Sequence, residues 1–321
     1  MTQVLGIDVG GTKMAVGIVD DSGEVTHSSI VPTPAQGTAD DMWQALTSAC
    51  DQTLDKAGHP ELAGVGIGSA GPMVWPAGEV SPVNIPAWRG FPLRTQVQEK
   101  FPDLDVRIHN DAIAMTAAEH WVGAGRGYAN VLGMVVSTGV GGGLVADNHL
   151  INGGLGNAGH IGHIVVDPNG PECRCGGRGC LEAIARGPGT VQWAVNQGWL
   201  PGDRPADGRS LAEDANAGDE VAIAAFTRAG EAVGIALASC AALLDLDIAI
   251  IGGGMVQSGD LLMVPMQEAF DRHAGLGFAR RMKIVTVGLE QEAGIVGAAS
   301  LVLQGENYWS PPGEQGDRII A

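Results

Sequence analysis

The sequence predicts an α/β protein made of two related halves, and three observations carry that prediction. Short apolar, β-rich runs alternate with segments of helical spacing along most of the 321 residues. A strand, a glycine turn and a second strand occur near the N-terminus and again from Val131. After the second of these lies a glycine-rich stretch with three closely spaced cysteines, Cys173, Cys175 and Cys180, which reads as a loop.

Composition bounds the function. At 45% hydrophobic and 17% charged residues the chain is ordinary globular protein, long enough for two lobes with separate cores. Lys+Arg 18 against Asp+Glu 36 leaves a net charge of −18, which argues against any non-specific hold on nucleic acid or an anionic membrane. Five cysteines, an odd number without a disulfide framework, point to a reducing compartment. No basic segment precedes the first apolar run, and no uninterrupted apolar run approaches the ~18 residues of a membrane span. The expectation is a soluble, cytoplasmic protein.

The first hairpin runs from strand Val4–Val9 through Gly10-Gly11-Thr12-Lys13 into strand Met14–Val19, with Asp20-Asp21-Ser22-Gly23 as the next turn. Such a unit brings backbone N–H groups and a hydroxyl close to a phosphate, and Asp8 is placed to meet Mg²⁺ or its water. A strand follows the lysine, so this is no Walker A loop, and alone it also fits a plain tight hairpin. The echo raises its weight. Val131–Val136 leads into Ser137-Thr138-Gly139-Val140-Gly141-Gly142-Gly143 and then Leu144–Asp147. Val4 aligns with Val131, Leu5 with Leu132, Gly6 with Gly133, Val9 with Val136 and Asp20 with Asp147. Two such units imply two α/β halves facing each other across a cleft, each offering one phosphate turn.

Asp40–Lys56 has helical spacing, and Gly64–Gly68 is a strand that enters the loop Ser69–Pro72. The Pro/Gly-rich run from Pro72 to Pro92, with Asn84 and Trp88, is too long and apolar for an idle linker; it reads equally as an ordered loop over the cleft or a packed surface loop. Val106–Asp111 is a strand that stops at Asn110-Asp111 before the helical segment Ala112–Trp121, which puts Asp111 at an N-cap position. A carboxylate there is either a cap or a catalytic group at the carboxyl edge of the sheet. Ser210–Leu244 reads as two or three helices broken at Gly218-Asp219. Ile248–Ile251 is a strand ending in Gly252-Gly253-Gly254, a turn able to approach a flat or phosphorylated ligand. Leu261–Phe270 is helical, Lys283–Gly288 a strand, and Ala293–Ala299 a small-residue helix suited to close packing. Residues 307–321 read as a loose tail.

The cysteines stand in C-x-C-x4-C spacing with His163 upstream, and one Cys3His tetrahedron would satisfy a structural zinc. His160 and Glu182 bracket this loop as spare polar side chains, as on the floor of a ligand site. Cys50 and Cys240 fall in helix-like segments and read as core thiols.

Taken in order, Asp8-Val-Gly-Gly-Thr-Lys13, Asn110-Asp111, Ser137-Thr-Gly-Val-Gly-Gly-Gly143, Gly159-His160-Ile161-Gly162-His163, Cys173-x-Cys175-Gly-x-x-Gly-Cys180-x-Glu182 and Ile251-Gly-Gly-Gly254 resemble a ROK-family sugar kinase over residues 4 to about 303. The resemblance implies two actin-like ATPase (ribonuclease H-like) lobes with a zinc-bound loop. The boundaries it implies are 1–115 for the small lobe, completed by about 293–306, and 116–292 for the large lobe, with the zinc loop at 159–182. Repressors of the family carry an N-terminal helix-turn-helix, for which a first strand starting at Val4 leaves no room.

Roles follow from the resemblance residue by residue. Asp111 matches the base that takes the proton of the sugar 6-hydroxyl as it attacks the γ-phosphate of ATP. Asn84, Asn110 and Glu182 match sugar-hydroxyl contacts. His163, Cys173, Cys175 and Cys180 match the ligands of structural Zn²⁺, with the second ring nitrogen of His163 left for the sugar. Asp8, Gly10, Gly11, Thr12, Lys13, Thr138 and Gly139 match the Mg²⁺-ATP phosphate side, and Gly253 and Gly254 the adenosine side. Partners would be sugar and ATP, without nucleic acid or membrane; homodimers are common in the family.

One position departs from the pattern. The family usually has glutamate where this chain has His160. A carboxylate accepts from two hydroxyls, whereas neutral imidazole accepts one hydrogen bond and donates one, and the donor could face an acetamido carbonyl. The expectation is therefore N-acetylglucosamine as substrate, with glucose or N-acetylmannosamine as alternatives. A sugar-sensing protein without turnover is the non-enzyme alternative, and an actin-like ATPase acting on protein partners is another.

Overall fold

The computed structural model describes residues 1–34, 36–82, 84–289 and 292–311. The elements in chain order are β1 (Gln3–Val9), β2 (Lys13–Asp20), β3 (Val25–Pro32), α1 (Ala39–Ala57), β4 (Gly64–Ser69), the two-residue strands β5 (Met73–Val74), β6 (Glu79–Val80) and β7 (Phe91–Pro92), α2 (Leu93–Lys100), β8 (Asp105–Asn110) and α3 (Asp111–Trp121). After these come β9 (Val131–Val136), β10 (Val140–Ala146), β11 (His149–Leu150), α4 (Leu181–Ala185), α5 (Gly187–Asn196), α6 (Gly208–Asn216), α7 (Glu220–Leu244), β12 (Ile248–Gly252), α8 (Asp260–His273), α9 (Gly277–Arg280), β13 (Lys283–Thr286) and α10 (Ala293–Leu303).

The sequence echo is an echo of topology. One five-stranded sheet runs β3-β2-β1-β4-β8 and the other β11-β10-β9-β12-β13. In the first, β1 pairs antiparallel with β2 and parallel with β4, which pairs parallel with β8. In the second, β9 pairs parallel with β12, and β12 parallel with β13. The third sheet, β5-β6-β7, orders the Pro/Gly-rich run. Within that run Trp88 is fully buried, donates its indole N–H to the Ala39 carbonyl at 3.2 Å and stacks on Phe91 at 4.5 Å. It is a packed loop.

The chain divides into two compact units, Met1–Ala129 with Gly143–Ala158 and Gly288–Ala321, and Asn130–Gly142 with Gly159–Val287. This differs from a boundary at 115/116. In the first unit α3 stays whole because Ala112 to Glu119 are buried and α10 lies against it. A Cβ on Gly297 would sit 2.1 Å from the Ala114 carbonyl oxygen, so the small-residue helix packs as closely as its composition predicts. Gly66 faces the same helix, its Cβ position 1.8 Å from the Ala298 oxygen. Gly143 packs on Ile113 and Thr116, which keeps 143–158 with this unit. The fully buried Glu119 carboxylate accepts from the backbone N–H of Ala124 (2.8 Å), Gly288 (3.0 Å) and Leu289 (2.8 Å), so the returning chain is fastened here too. Leu5, Ile7, Val16, Leu46, Ile67 and Ile108 form the core between sheet and α1.

The second unit is built around α7. It is one unbroken helix of 25 residues, capped by Asp219, whose side chain accepts from the Ala222 N–H at 2.8 Å. By length and composition alone it could cross a membrane; here Phe226, Val233 and Leu237 are buried and α4, α5, α6 and α8 pack against it. Cys50 and Cys240 are buried thiols in α1 and α7.

The described part of the C-terminal segment is not loose. Tyr308 is 2% exposed and Ser310 7%. Proline and glycine describe the backbone there, but Tyr308 and Trp309 are too large and apolar to stand in water. The remainder of the expected tail, 312–321, lies outside the described residues.

Candidate functional site

In the first unit, the turn between β1 and β2 is closed by the Gly10 N–H on the Lys13 carbonyl at 3.0 Å. Thr33 braces it, its hydroxyl donating to the Gly10 carbonyl at 2.7 Å and its N–H to the Thr12 carbonyl at 3.0 Å. The Thr12 and Lys13 side chains remain exposed. Asn84 is brought here from the packed loop: a Cβ on Gly11 would lie 2.6 Å from the Asn84 Cβ. Asp8, half-buried near the end of β1, has its carboxyl pushed up to about 6 by burial, then by the Asp111 charge, against a downward pull from Lys13. Two carboxyls from distant parts of the chain thus feel one another beside a glycine turn.

The β8–α3 junction corrects the cap assignment. Asn110 is the N-cap, in extended backbone at φ −62° and ψ 145°, and its Oδ1 accepts from the Ala112 N–H at 3.1 Å. Asp111 is the first residue of the helix, its own Oδ1 2.8 Å from the same N–H. Both residue types cap well, and the chain gives the cap to the one that precedes the helical backbone. His109, fully buried, accepts the Asn110 N–H on Nδ1 at 2.9 Å, so its proton sits on Nε2, 2.8 Å from Asn152 Oδ1. Nothing in the local spelling marks His109, because Asn152 and Trp75, which fix its ring, come from remote segments.

In the second unit, the cysteine loop closes as its spacing requires. Cys173 Sγ lies 3.8 Å from His163 Nδ1, and Cys175 Sγ 3.7 Å from Cys180 Sγ. All four ligand atoms fall within 4.8 Å of one another. A tetrahedron with Zn–S bonds near 2.3 Å has edges of about 3.8 Å, so three soft sulfurs and an imidazole fit zinc in both size and chemistry. The Gly159-to-His163 turn is pressed onto β10: a Cβ on Gly162 would sit 2.1 Å from the Val140 carbonyl oxygen. His160 is exposed beside His163, their rings 6.3 Å apart and nearly parallel at 24°.

Glu182 belongs to both features. Its Oε2 accepts the Val140 N–H at 2.9 Å and lies 3.0 Å from a Cβ position on Gly139. It therefore ties the helix that follows the cysteine loop to the second glycine turn. Ser137 steadies the same turn, donating its N–H to the Gly139 carbonyl and accepting from the Gly187 N–H, both at 2.8 Å. Thr138 and Gly254 open into a cavity of about 840 Å³ that is also lined by Gln192, Arg209, Asn216 and Met255. Gly253 stands at its root with φ 98°, its Cβ position 2.4 Å from the Val136 oxygen. The α5 and α6 walls of this cavity carry no recognisable spelling, since helical periodicity marks the buried face and not the rim. A smaller hollow of about 430 Å³ at Ala77, Arg94, Gln98 and Pro102 holds none of the expected site residues.

A duplicated α/β fold of the actin-like ATPase class, with a glycine turn in each half and a Cys3His loop, is what this geometry defines. The ROK family model matches residues 4–305, and the chain belongs to the ROK family. It is similar to a glucokinase of Thermotoga maritima, 32% identical over 313 residues that cover 94% of this chain and 97% of the relative. An N-acetylmannosamine kinase of Shigella flexneri is 34% identical over 304 residues, covering 94% and 99%. Among solved structures, a ROK family glucokinase from Streptomyces griseus in complex with glucose and AMPPNP superposes with a TM-score of 0.78 at 34% identity, covering 94% of this chain and 100% of that one.

Proposed function

We propose that the chain is an ATP-dependent sugar kinase that transfers the γ-phosphate of ATP to the 6-hydroxyl of a hexose, with N-acetylglucosamine as the substrate. The observation that carries the kinase reading is the junction at Asn110-Asp111. Asp111 opens α3 at the end of the β8 strand, and its charge reaches Asp8 beside the first glycine turn. Asp111 takes the proton from O6 as that oxygen bonds to the γ-phosphorus; the bond to the β–γ bridging oxygen breaks and ADP leaves. Asn84, Asn110, Glu182, His160 and the outer nitrogen of His163 hold the sugar hydroxyls. Gly11, Thr12 and Lys13 hold phosphate through N–H, hydroxyl and ammonium groups, and Gly10 closes the turn that presents them. Thr138, Gly139, Gly253 and Gly254 receive the rest of the nucleotide. Phosphoryl transfer is mainly positioning and charge stabilisation, and these groups are of the kinds it needs.

Mg²⁺ supplies charge neutralisation at the phosphates, and the Asp8 carboxylate would hold it or its water. Zn²⁺ would be held by His163, Cys173, Cys175 and Cys180 in a structural role, keeping the His160 and His163 rings in place. The substrates are small molecules, and the chain's negative charge and reduced cysteines fit the cytoplasm.

For the sugar, His160 supports an N-acetylhexosamine, because its exposed imidazole offers a donor where a carboxylate offers none. Glucose is the second reading, supported by the named relatives that are glucokinases. Comparing kcat/KM for N-acetylglucosamine, N-acetylmannosamine and glucose in wild type and His160→Glu separates them. Preference for N-acetylglucosamine, moved towards glucose by His160→Glu, is the expected result; a wild type that prefers glucose overturns the amino-sugar assignment.

A further inference from the structure

Two aromatic residues beyond the end of the family match are held more firmly than a tail requires. The Tyr308 hydroxyl donates to Nδ1 of His120, whose Nε2 donates to the Tyr128 carbonyl at 3.0 Å. His120 lies in the last turn of α3. Trp309, the next residue, donates its indole N–H to the Ile108 carbonyl in β8 at 3.2 Å. Adjacent residues thus grip the helix and the strand that meet at Asn110-Asp111.

The grip on the strand answers an edge problem. β8 is the edge of its sheet, and an outward carbonyl there has no strand partner. Ile108 accepts from two indoles, Trp309 and, at 3.1 Å, Trp75. The Trp309 ring lies against the guanidinium groups of Arg94 and Arg107, 5.1 and 5.4 Å from its centroid. Both arginines are themselves anchored, Arg94 Nε on the Val106 carbonyl at 2.7 Å and an Arg107 guanidinium nitrogen on the Leu301 carbonyl at 3.0 Å. Trp75 meets Trp309 edge-on at 6.0 Å and stacks on His109 at 5.5 Å. His109 in turn receives the Asn110 N–H. The path from Trp309 to the junction is continuous and stays within the first unit.

We propose that Tyr308 and Trp309 form a positioning strap that, through His120, Ile108, Trp75 and His109, fixes the backbone of Asn110 and so the direction of Asp111. They touch no substrate. The inference rests on the reading of Asp111 as the base, since small misplacements of a reacting group are costly only where transfer occurs.

The test combines hydrogen exchange across residues 106–116, which needs no substrate, with kinetics of Trp309→Ala, Trp309→Phe and Tyr308→Phe. In Trp309→Ala, exchange at Asn110–Ala112 rises and kcat falls, each by about tenfold, while KM for Mg-ATP stays within about twofold. Trp309→Phe keeps the ring against the guanidinium groups and loses only the N–H, so it falls between. Wild-type exchange and kcat in Trp309→Ala overturn the strap, as does exchange raised evenly through the whole unit. Should Trp309→Ala fail to fold, Trp309→Phe and Tyr308→Phe carry the same comparison, and wild-type behaviour in both overturns it. If exchange responds as expected but the wild type shows no sugar-dependent turnover, the strap stands and the kinase reading falls. If the wild type turns over and neither readout moves, the strap alone falls.

Discussion

The two glycine turns occupy the same place in two sheets of the same strand order, yet they are built to different ends. β1 and β9 share a pattern of buried residues interrupted at the last-but-one position, which is Asp8 in one and Val135 in the other. The first turn therefore carries a carboxylate raised to about 6 and the second carries none of its own. The second is instead fastened from outside, by Glu182 on the Val140 N–H and by Gly187 on the Ser137 carbonyl. The two backbone cradles thus differ in charge: one carries its own carboxylate, and the other is held by a carboxylate from a neighbouring helix.

The comparison breaks most severely at the base. Asp111→Asn keeps the shape of the junction and removes the proton acceptor, so kcat should fall by ~10²–10⁴-fold in a coupled ADP assay with KM for ATP little changed. Near-normal turnover would remove Asp111 from the chemistry.

Asp8 is next, and its pH dependence has a definite sign. Its folded pKa of about 6 lies above the ordinary 3.8, so the folded protein favours the neutral form. The stability this gives is fully present below pH 3.8 and is lost as pH rises through 6. Asp8→Asn should accordingly be more stable than wild type at pH 7 by about 2 kcal/mol, allowing for partial exposure, with the gap closing towards pH 4 in urea titrations. Activity moves the other way. With Asp8 as the proposed holder of the cation, at limiting Mg²⁺ wild-type kcat/KM should drop as pH falls through 6, and Asp8→Asn should be poor throughout. An Asp8→Asn variant with wild-type Mg²⁺ dependence would dissolve the asymmetry between the turns.

Smaller effects sharpen the other side. Cys175→Ser should lower zinc content, measured by atomic absorption, and raise the sugar KM by about tenfold, because the ring of a metal-bound histidine is held by its ligand set. Full sugar affinity in metal-free protein would make the cluster incidental. Glu182→Gln retains an acceptor for the Val140 N–H but not the charge, and should raise the KM for sugar by about three- to tenfold. An unchanged sugar KM would confine Glu182 to bracing the turn.

Much of this was legible in the sequence, and the parts that were not share a cause. The hairpins, the cysteine loop, the helix α1 and the close-packing α10 are spelled locally, by glycine position, ligand spacing, helical spacing and small residues. Within α7, Gly230 and Gly234 lie against α8, where a Cβ would meet the Leu262 and Met266 oxygens at 2.6 and 2.3 Å, a close approach that only the folded pair of helices reveals. The division of the chain at 129/130 depends on what α3 packs against, and no local signal reports that. The cap at Asn110 lost to Asp111 by one residue, because two good caps stood side by side. His109, Trp75 and Trp309 come from three separated segments, and only the folded edge of β8 brings them together.

The most direct measurement is ADP release from Mg-ATP by wild type and Asp111→Asn, with and without N-acetylglucosamine and glucose. Release should depend on sugar, be fastest with the amino sugar and be nearly abolished in the variant. Release that ignores sugar, or none with any hexose, would contradict the kinase reading.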